Sequence, residues 1–447
     1  MALSGQTKVT VTSKKVAVTI LFGVLLHAAS FSQETVVRVD TLTLDQAVAL
    51  ALAYHPSMKN AEALVRVSDG AFKQARAGLL PSVGFTASGS RTEGAFVFNP
   101  SIPSRDQKYN SYSAALQVNQ LLFDFGKTLN RTSAGSDLTD ASAFDLRATH
   151  DLVVMNVQTA FLAFLQARRV LGVNEEAVAQ ATGHLAQARA FYSVGRRPQY
   201  DVTKAEVDAA NANVNLIRAK NQMQVAQLAL ENAMGIHPEH AYAVSDSFEV
   251  PPMEVSMDSA RTIARTHRPE LLAAEARLTA SRSLARAAWD QHLPTLSAFG
   301  TYTWAAFDFP LYSRWNAGVS LAFPIFQGFG IQAQVEQADA AADAARAALD
   351  ALNESVMLDV EESVLALREA NERRAATAKL VEQAEQSLVL AERQYAAGVG
   401  TPIDVADAQL TRSNAKITEI QATYDYSSAL VRLRRSVGLT TPAATPR

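Results

Sequence analysis

The chain is written twice. FYSVGRRPQYDV, from Phe191 to Val202, lies on RQYAAGVGTPIDV, from Arg393 to Val405, so that Tyr192 meets Tyr395, Gly195 meets Gly398 and Asp201 meets Asp404. The same offset pairs Phe123 with Phe326 and Gly235 with Gly438. A second offset aligns the earlier part of each half: Asp45 with Asp258, Ala47 with Ala260, Pro56 with Pro269, Glu62 with Glu275 and Pro81 with Pro294. The change of offset falls between Pro81 and Leu116, where RTEGAFVFNPSIPSRDQ is longer than its counterpart around FDFPLYSR. A duplication of this length means that whatever one half folds into, the other must fold into as well.

Each half carries the same order of elements. A short helix (about 44 to 54 and 257 to 266) precedes a helix begun by proline (57 to 79 and 269 to 292), which ends before Pro81 or Pro294 because proline cannot continue it. Two strands follow, expected at about 82–92 and 110–120, then 295–305 and 314–324. Val83, Phe85 and Ala87 alternate with Thr86, Ser88 and Ser90, and Tyr112, Ala114, Leu116 and Val118 with Ser113, Gln117 and Asn119. The second half repeats the pattern with Leu296, Ala298, Tyr302 and Trp304, then Trp315, Ala317, Val319 and Leu321. Period two gives each strand one apolar and one polar face. The strand length and the aromatic ends fit a tilted membrane strand; a soluble two-hairpin sheet would show the same alternation.

Long helices are expected at about 126–192, 199–235, 329–396 and 402–437. Val157, Phe164, Leu171, Val178, Leu185 and Tyr192 recur every seven residues, as do Ala205, Ala212, Ala219, Ala226 and Ala233 on the way back. In the second half Val360, Leu367, Val381, Leu388 and Tyr395 descend, and Ala408, Ala415, Ala422 and Ala429 return. A large column against an alanine column lets two helices approach closely, and the strict heptad implies left-handed supercoiling. At 1.5 Å per residue such a helix is on the order of 100 Å long, which demands a rod or a tube. Four strands cannot close a barrel, and an open edge in lipid leaves backbone groups unpaired. Two copies give a barrel that side chains fill, whereas three give twelve strands and room for water. The expected fold is therefore mainly α with a membrane β-barrel contribution, a trimeric tube built from a duplicated helix, helix, strand, strand, long helix, return helix unit.

Composition closes other routes. Lys+Arg 41 against Asp+Glu 44 leaves a net charge of -3, with no basic surplus for a phosphate backbone, so no nucleic-acid partner is expected. The absence of cysteine removes disulfides, thiolate metal sites and Cys nucleophiles. Residues 1–32 are expected to be a secretory signal: Lys14 and Lys15 precede an apolar run from Val16 to Leu26 that is too short to cross about 30 Å of hydrocarbon. The mature chain then divides into repeats at 33–236 and 256–439, joined by a linker at 237–255 and followed by a disordered tail at 440–447.

The whole order, over residues 40 to 440, resembles the outer-membrane efflux protein family of the TolC type. The resemblance is carried by AYHPSMKNAEALV and ARTHRPELLAAEARL, by AGLLPSVGFTASG and DQHLPTLSAFGTYTW, by QLLFDFG and FPIFQGFG, and by the tips YSVGRRPQYDV and YAAGVGTPIDV. It implies a homotrimeric duct in the outer membrane of a Gram-negative-type cell. A helical tunnel would reach into the periplasm, dock there on an adaptor (membrane fusion) protein and an inner-membrane transporter, and catalyse nothing. Small molecules are the expected cargo, with type I protein secretion as an alternative. A periplasmic coiled-coil adaptor or scaffold is the alternative from another class, although an adaptor would need only one helical hairpin.

The tips are where function is expected to concentrate. Gly195 and Gly398 stand where a long helix must stop, Pro198 and Pro402 where the return helix starts, and Thr401 with Asp404 has the spacing of a capping box. Asp407 lies one turn beyond Asp404 on the same face, so if that face points to a threefold axis three chains would bring six carboxylates to one constriction. The resemblance implies that Asp404 and Asp407 form the constriction and that Tyr395 and Asp201 join the network closing it. Gly195, Arg196, Arg197, Gly398, Val399 and Gly400 would then be the tips that contact the adaptor. The sequence departs from the family by carrying Gly400 where the type member has a gating arginine, for which Arg196 or Arg197 is a replacement. It departs again at Leu121, where the second half has Pro324. No catalytic residue, cofactor or metal site is expected: His237 and His240 lack a third ligand at suitable spacing, and Met253 and Met257 form no thioether cluster.

Overall fold

The computed structural model describes residues 41–95, 106–236, 243–245, 253 and 255–440. The expected signal, the residues of the tail after Thr440, and His237 and His240 lie outside the described residues. Two short helices, α1 (Leu44–Tyr54) and α2 (Pro56–Ala77), lead to strands β2 (Ser82–Ala95) and β3 (Asp106–Phe123). The chain then enters α3 (Lys127–Ser193) and returns through α4 (Gln199–Met234). The second half repeats this with α5 (Met257–His267), α6 (Pro269–Trp289), β5 (Thr295–Ala306), β6 (Tyr312–Ala322), α7 (Gly330–Ala396) and α8 (Pro402–Ser436). The first turn of α1 is closed by a capping box between Thr43 and Gln46, and proline opens α2, α6 and α8, where a missing N–H costs nothing.

The duplication is visible in the cores. Ala47, Ala51, Val157 and Leu230 are buried in one cluster, and their repeat partners Ala260, Ala264, Val360 and Leu433 are buried in the other. The alanine column of α8 is buried at Ala408, Ala415, Ala422 and Ala429, which is what allows α7 and α8 to lie close together. Part of α3 is apolar and long enough to cross a membrane by composition alone, yet Val153, Val157, Phe161 and Leu165 on that helix fill the first core. The linker also holds structure. Strand β4 (Ala243–Val244) pairs in parallel with β1 (Thr41–Leu42), and the Arg168 Nη1 donates to the Val244 carbonyl at 2.8 Å.

The four long strands form one antiparallel sheet in the order β2-β3-β5-β6, with β2 and β6 at its edges. Register puts Val83 beside Val118, Phe85 beside Leu116, Leu116 beside Tyr302, and Tyr302 beside Trp315, so the apolar residues of all four strands share one face. The other face carries Thr86, Ser88, Ser113, Gln117, Thr301, Thr303 and Asn316, with the Ser88 and Ser113 hydroxyls 2.8 Å apart. The strands differ from expectation at their ends. The β2–β3 ladder continues past Ser90 through Arg91, Thr92 and Glu93, opposite Asn110, Tyr109 and Lys108, where no apolar alternation marks a strand and a Glu93–Lys108 ion pair at 2.6 Å spans it. At the opposite end β6 stops at Ala322 because Pro324 has no N–H to donate, whereas Leu121 in the first half lets β3 run on, through a register shift, to Phe123.

Candidate functional site

Both helical turns end on a left-handed glycine. The Gly195 N–H donates to the Tyr192 carbonyl and the Arg196 N–H to that of Phe191, while the Gly398 N–H donates to Tyr395 and the Val399 and Gly400 N–H groups converge on Gln394. These bonds satisfy carbonyls that the helix ends would leave open. The chain passes so close at Gly400 that an added Cβ would lie 2.9 Å from the Tyr395 nitrogen and 3.0 Å from the Gln394 carbonyl carbon. A side chain at position 400 would require this turn to shift.

Arg197 occupies the space between the tips. Its guanidinium carbon lies 5.3 Å from the centre of the Tyr395 ring, and its Nη1 is 3.9 Å from the Asp201 carboxylate. One cation thus touches the tyrosine of one tip and the aspartate of the other. Arg196, in the turn, instead lies over Phe191 near the end of α3 at 6.0 Å. Val399 is exposed at the end of the second tip.

The two carboxylates of α8 are separated by their surroundings. Asp404 Oδ2 accepts from the Thr401 N–H at 2.8 Å and from its hydroxyl at 2.7 Å, while the Asp404 N–H donates to the Thr401 hydroxyl. These hydrogen bonds favour the ionised form and hold the Asp404 carboxyl below the ordinary carboxylate range. Asp407 makes no such cap. It lines a cavity of about 240 Å³ between the α3/α4 and α7/α8 pairs, together with Asp201, Lys204, Asp208 and Tyr395. Lys204 donates to Asp208 at 2.7 Å, and that bond, with further attraction from Asp407, raises the lysine above its usual value.

Two further contacts cross between the helical pairs. The Gln409 amide meets the His184 imidazole. Nearer the sheet, Glu176 of α3 receives Arg412 at 2.9 Å and Lys416 at 3.3 Å from α8, and both cations also reach Glu385 of α7. The i, i+4 spacing of Lys204 and Asp208 is legible in the sequence, but Glu176 and His184 meet residues more than two hundred positions away and leave no local signal. Among the described residues no group of His, Asp and Glu could hold a metal ion.

The family model described as "Outer membrane efflux protein" matches residues 47–236 and 261–439. Outer membrane protein TolC of Escherichia coli is 27% identical over 394 residues, covering 83% of this chain and 77% of its own. Outer membrane efflux protein BepC of Brucella suis is 25% identical over 402 residues, covering 89% and 85%. Among solved structures, the CmeC outer membrane channel of Campylobacter jejuni superposes with a TM-score of 0.81 at 20% identity, over 90% of this chain and 87% of that one.

Proposed function

Because the chain belongs to the outer membrane efflux protein family, we propose that three copies close into a passive duct through the outer membrane. The observation that carries this reading is the sheet: four strands with one apolar face, one polar face and two unpaired edges, β2 and β6. In lipid those edges must be paired, and pairing β2 of one copy with β6 of the next closes a barrel of twelve strands whose polar face lines the lumen. The long helices continue the lumen on the periplasmic side for about 100 Å. There the tips, from Gly195 to Arg197 and Gly398 to Gly400, meet a periplasmic adaptor and through it an inner-membrane transporter. The cargo is small molecules, and the duct does no chemistry on it.

The constriction lies at the tips. Three copies of Asp407, with Asp404 one turn away, set a negative ring across the opening, and Tyr395 and Asp201 hold it narrow. Such a ring binds cations and is blocked by them.

Purified protein in planar bilayers tests the reading. Trimers of about three times 48.1 kDa, before loss of any signal, should give discrete conductance steps blocked by divalent cations from the tip side. Asp407→Ala should weaken that block by roughly tenfold or more, the effect of losing three charges at one site. Unaltered block in Asp407→Ala would remove the gate assignment, and release of the protein from membranes by carbonate would remove the duct.

A further inference from the structure

The polar face of the sheet is uncharged with one exception. Register places Arg314 of β6 beside Thr303, and Thr303 beside Ala115, within that face. Among the described strand positions it is the one charge there, because Arg91, Glu93 and Lys108 alternate onto the other face. Arg314 is exposed and pairs with no carboxylate among the described residues, Asp308 of the turn after β5 included. Closing the barrel supplies no partner either. The strand that must come to lie beside β6 is β2 of the next copy, whose polar face carries Ser82, Thr86, Ser88, Ser90 and Thr92. Whatever the register across that seam, Arg314 meets hydroxyls and no acid. On the opposite face the same level is flanked by Tyr302, Trp304 and Trp315, so Arg314 lies within the band that faces hydrocarbon. A charge on the wall of a water-filled lumen with a low-dielectric surround draws its counterions from solution.

The neighbours of Arg314 toward the end of the sheet away from the helices are aromatic. Tyr312, two residues and about 7 Å along the strand, stands beside Ala305 on the same face and is 74% exposed. Beyond it Phe307 meets Tyr109 edge to face, with ring centres 5.4 Å apart. Tyr109 is opposite Thr92, so that pair also belongs to the polar face.

Taking the duct reading as its basis, we propose that Arg314 from three copies forms a ring in the barrel that binds anions near the exit, and that Tyr312 beside it favours organic anions with a flat aromatic body. A guanidinium takes a carboxylate or sulfonate through two parallel hydrogen bonds. The ring of such a ligand then lies against the exposed tyrosine. Rings of arginine are a known device for favouring anions in a pore, and this one is not neutralised by any acid on the lumen wall. The duct thus carries charges of opposite sign at its two ends, carboxylates at the tips and guanidinium groups near the exit.

Purified protein in planar bilayers tests this at ionic strengths of about 0.1 M or below, where charges act over about 10 Å or more. Arg314→Gln should move the reversal potential in a potassium chloride gradient toward cation preference, whereas Arg314→Lys, which keeps the charge, should stay near the parent. Naphthalene-2-sulfonate added from the barrel side should block the parent at concentrations roughly three- to tenfold below methanesulfonate, which has the same charge and no ring. Arg314→Gln should weaken the naphthalenesulfonate block roughly tenfold. Tyr312→Ala should bring that block to the level of methanesulfonate and leave the reversal potential unchanged. A parental reversal potential or block in Arg314→Gln, or an equal shift in Arg314→Lys, overturns the anion ring. Equal block of the parent by the two sulfonates, or a Tyr312→Ala channel that still separates them, overturns the aromatic part. A parent protein without conductance steps overturns the duct itself, a result distinct from either.

Discussion

At the scale of single residues, the clearest demands are made by a pair of glycines related by the duplication. Gly235 ends α4 with a φ of 67°, and Gly438 follows α8 with a φ of 76°. An added Cβ would stand 2.8 Å from the His55 Cα at the first and 2.7 Å from the His267 carbonyl carbon at the second. The same junction is thus built twice, a helix end pressed against the hinge between the two short helices of its own half. Neither the positive φ nor the backbone contact tolerates a side chain. Gly235→Ala and Gly438→Ala should each cost about 2 to 4 kcal/mol, strain and close contact together, whereas Gly195→Ala, with the same sign of φ but open space around it, should cost about 1 kcal/mol. Thermal melts of the three purified variants check the order, and equal losses would show that φ alone sets the cost. The pairing of Gly235 with Gly438 was legible in the sequence, but the close approach that requires it was not, because His55 and Gly235 come together only in the fold.

Among elements, the strands and the long helices were legible because periodicity is local: two for the sheet faces and seven for the seams. The Ala408, Ala415, Ala422 and Ala429 column marks the buried seam of α8. In α3 the heptad column is buried at Val157 and Phe164 and only partly buried at Leu171, Val178 and Leu185. Local periodicity also cannot say which residues bridge one helical pair to the other. Arg197 was a candidate for the missing arginine only by its position in a tip, and the partners of Glu176 could not be foreseen from its own helix. The charge on Glu176 makes this element-scale contact measurable. The hydrogen bond from Arg412, with attraction from Arg412 and Lys416, outweighs desolvation and holds the carboxyl below its ordinary 4.5. A carboxyl lowered in the folded state contributes stability that is fully present above the unfolded value and is lost as pH falls through the folded one. Glu176→Gln should therefore melt below the parent at pH 7, and the gap should narrow as pH drops beneath 4.5. A gap independent of pH would show that the ionised form is not what joins the helices.

For the whole molecule, a sheet that is incomplete alone and helices far longer than any core they enclose are two sides of one constraint. The sheet supplies faces of opposite polarity but leaves both edges open, so its apolar face is secure in lipid only after closure with other copies. This gives the faces different tolerances that can be tested along a single strand. Val319 and Asn316 both lie on β6, on opposite faces: Val319 beside Ala298 on the apolar face and Asn316 beside Thr301 on the polar one. Val319→Arg places a charge toward hydrocarbon and should cost about 2 to 4 kcal/mol if the residue lies near the middle of the bilayer. The expected result is loss of protein from the outer-membrane fraction. Asn316→Arg should leave membrane insertion and trimer yield unchanged, because its side chain meets water. In the proposed trimer, three added positive charges in the lumen should instead move the reversal potential in a salt gradient toward anion preference. The opposite pattern, with Val319→Arg inserting normally and Asn316→Arg failing to, would turn the sheet inside out and would require the polar face to meet something other than a water-filled lumen.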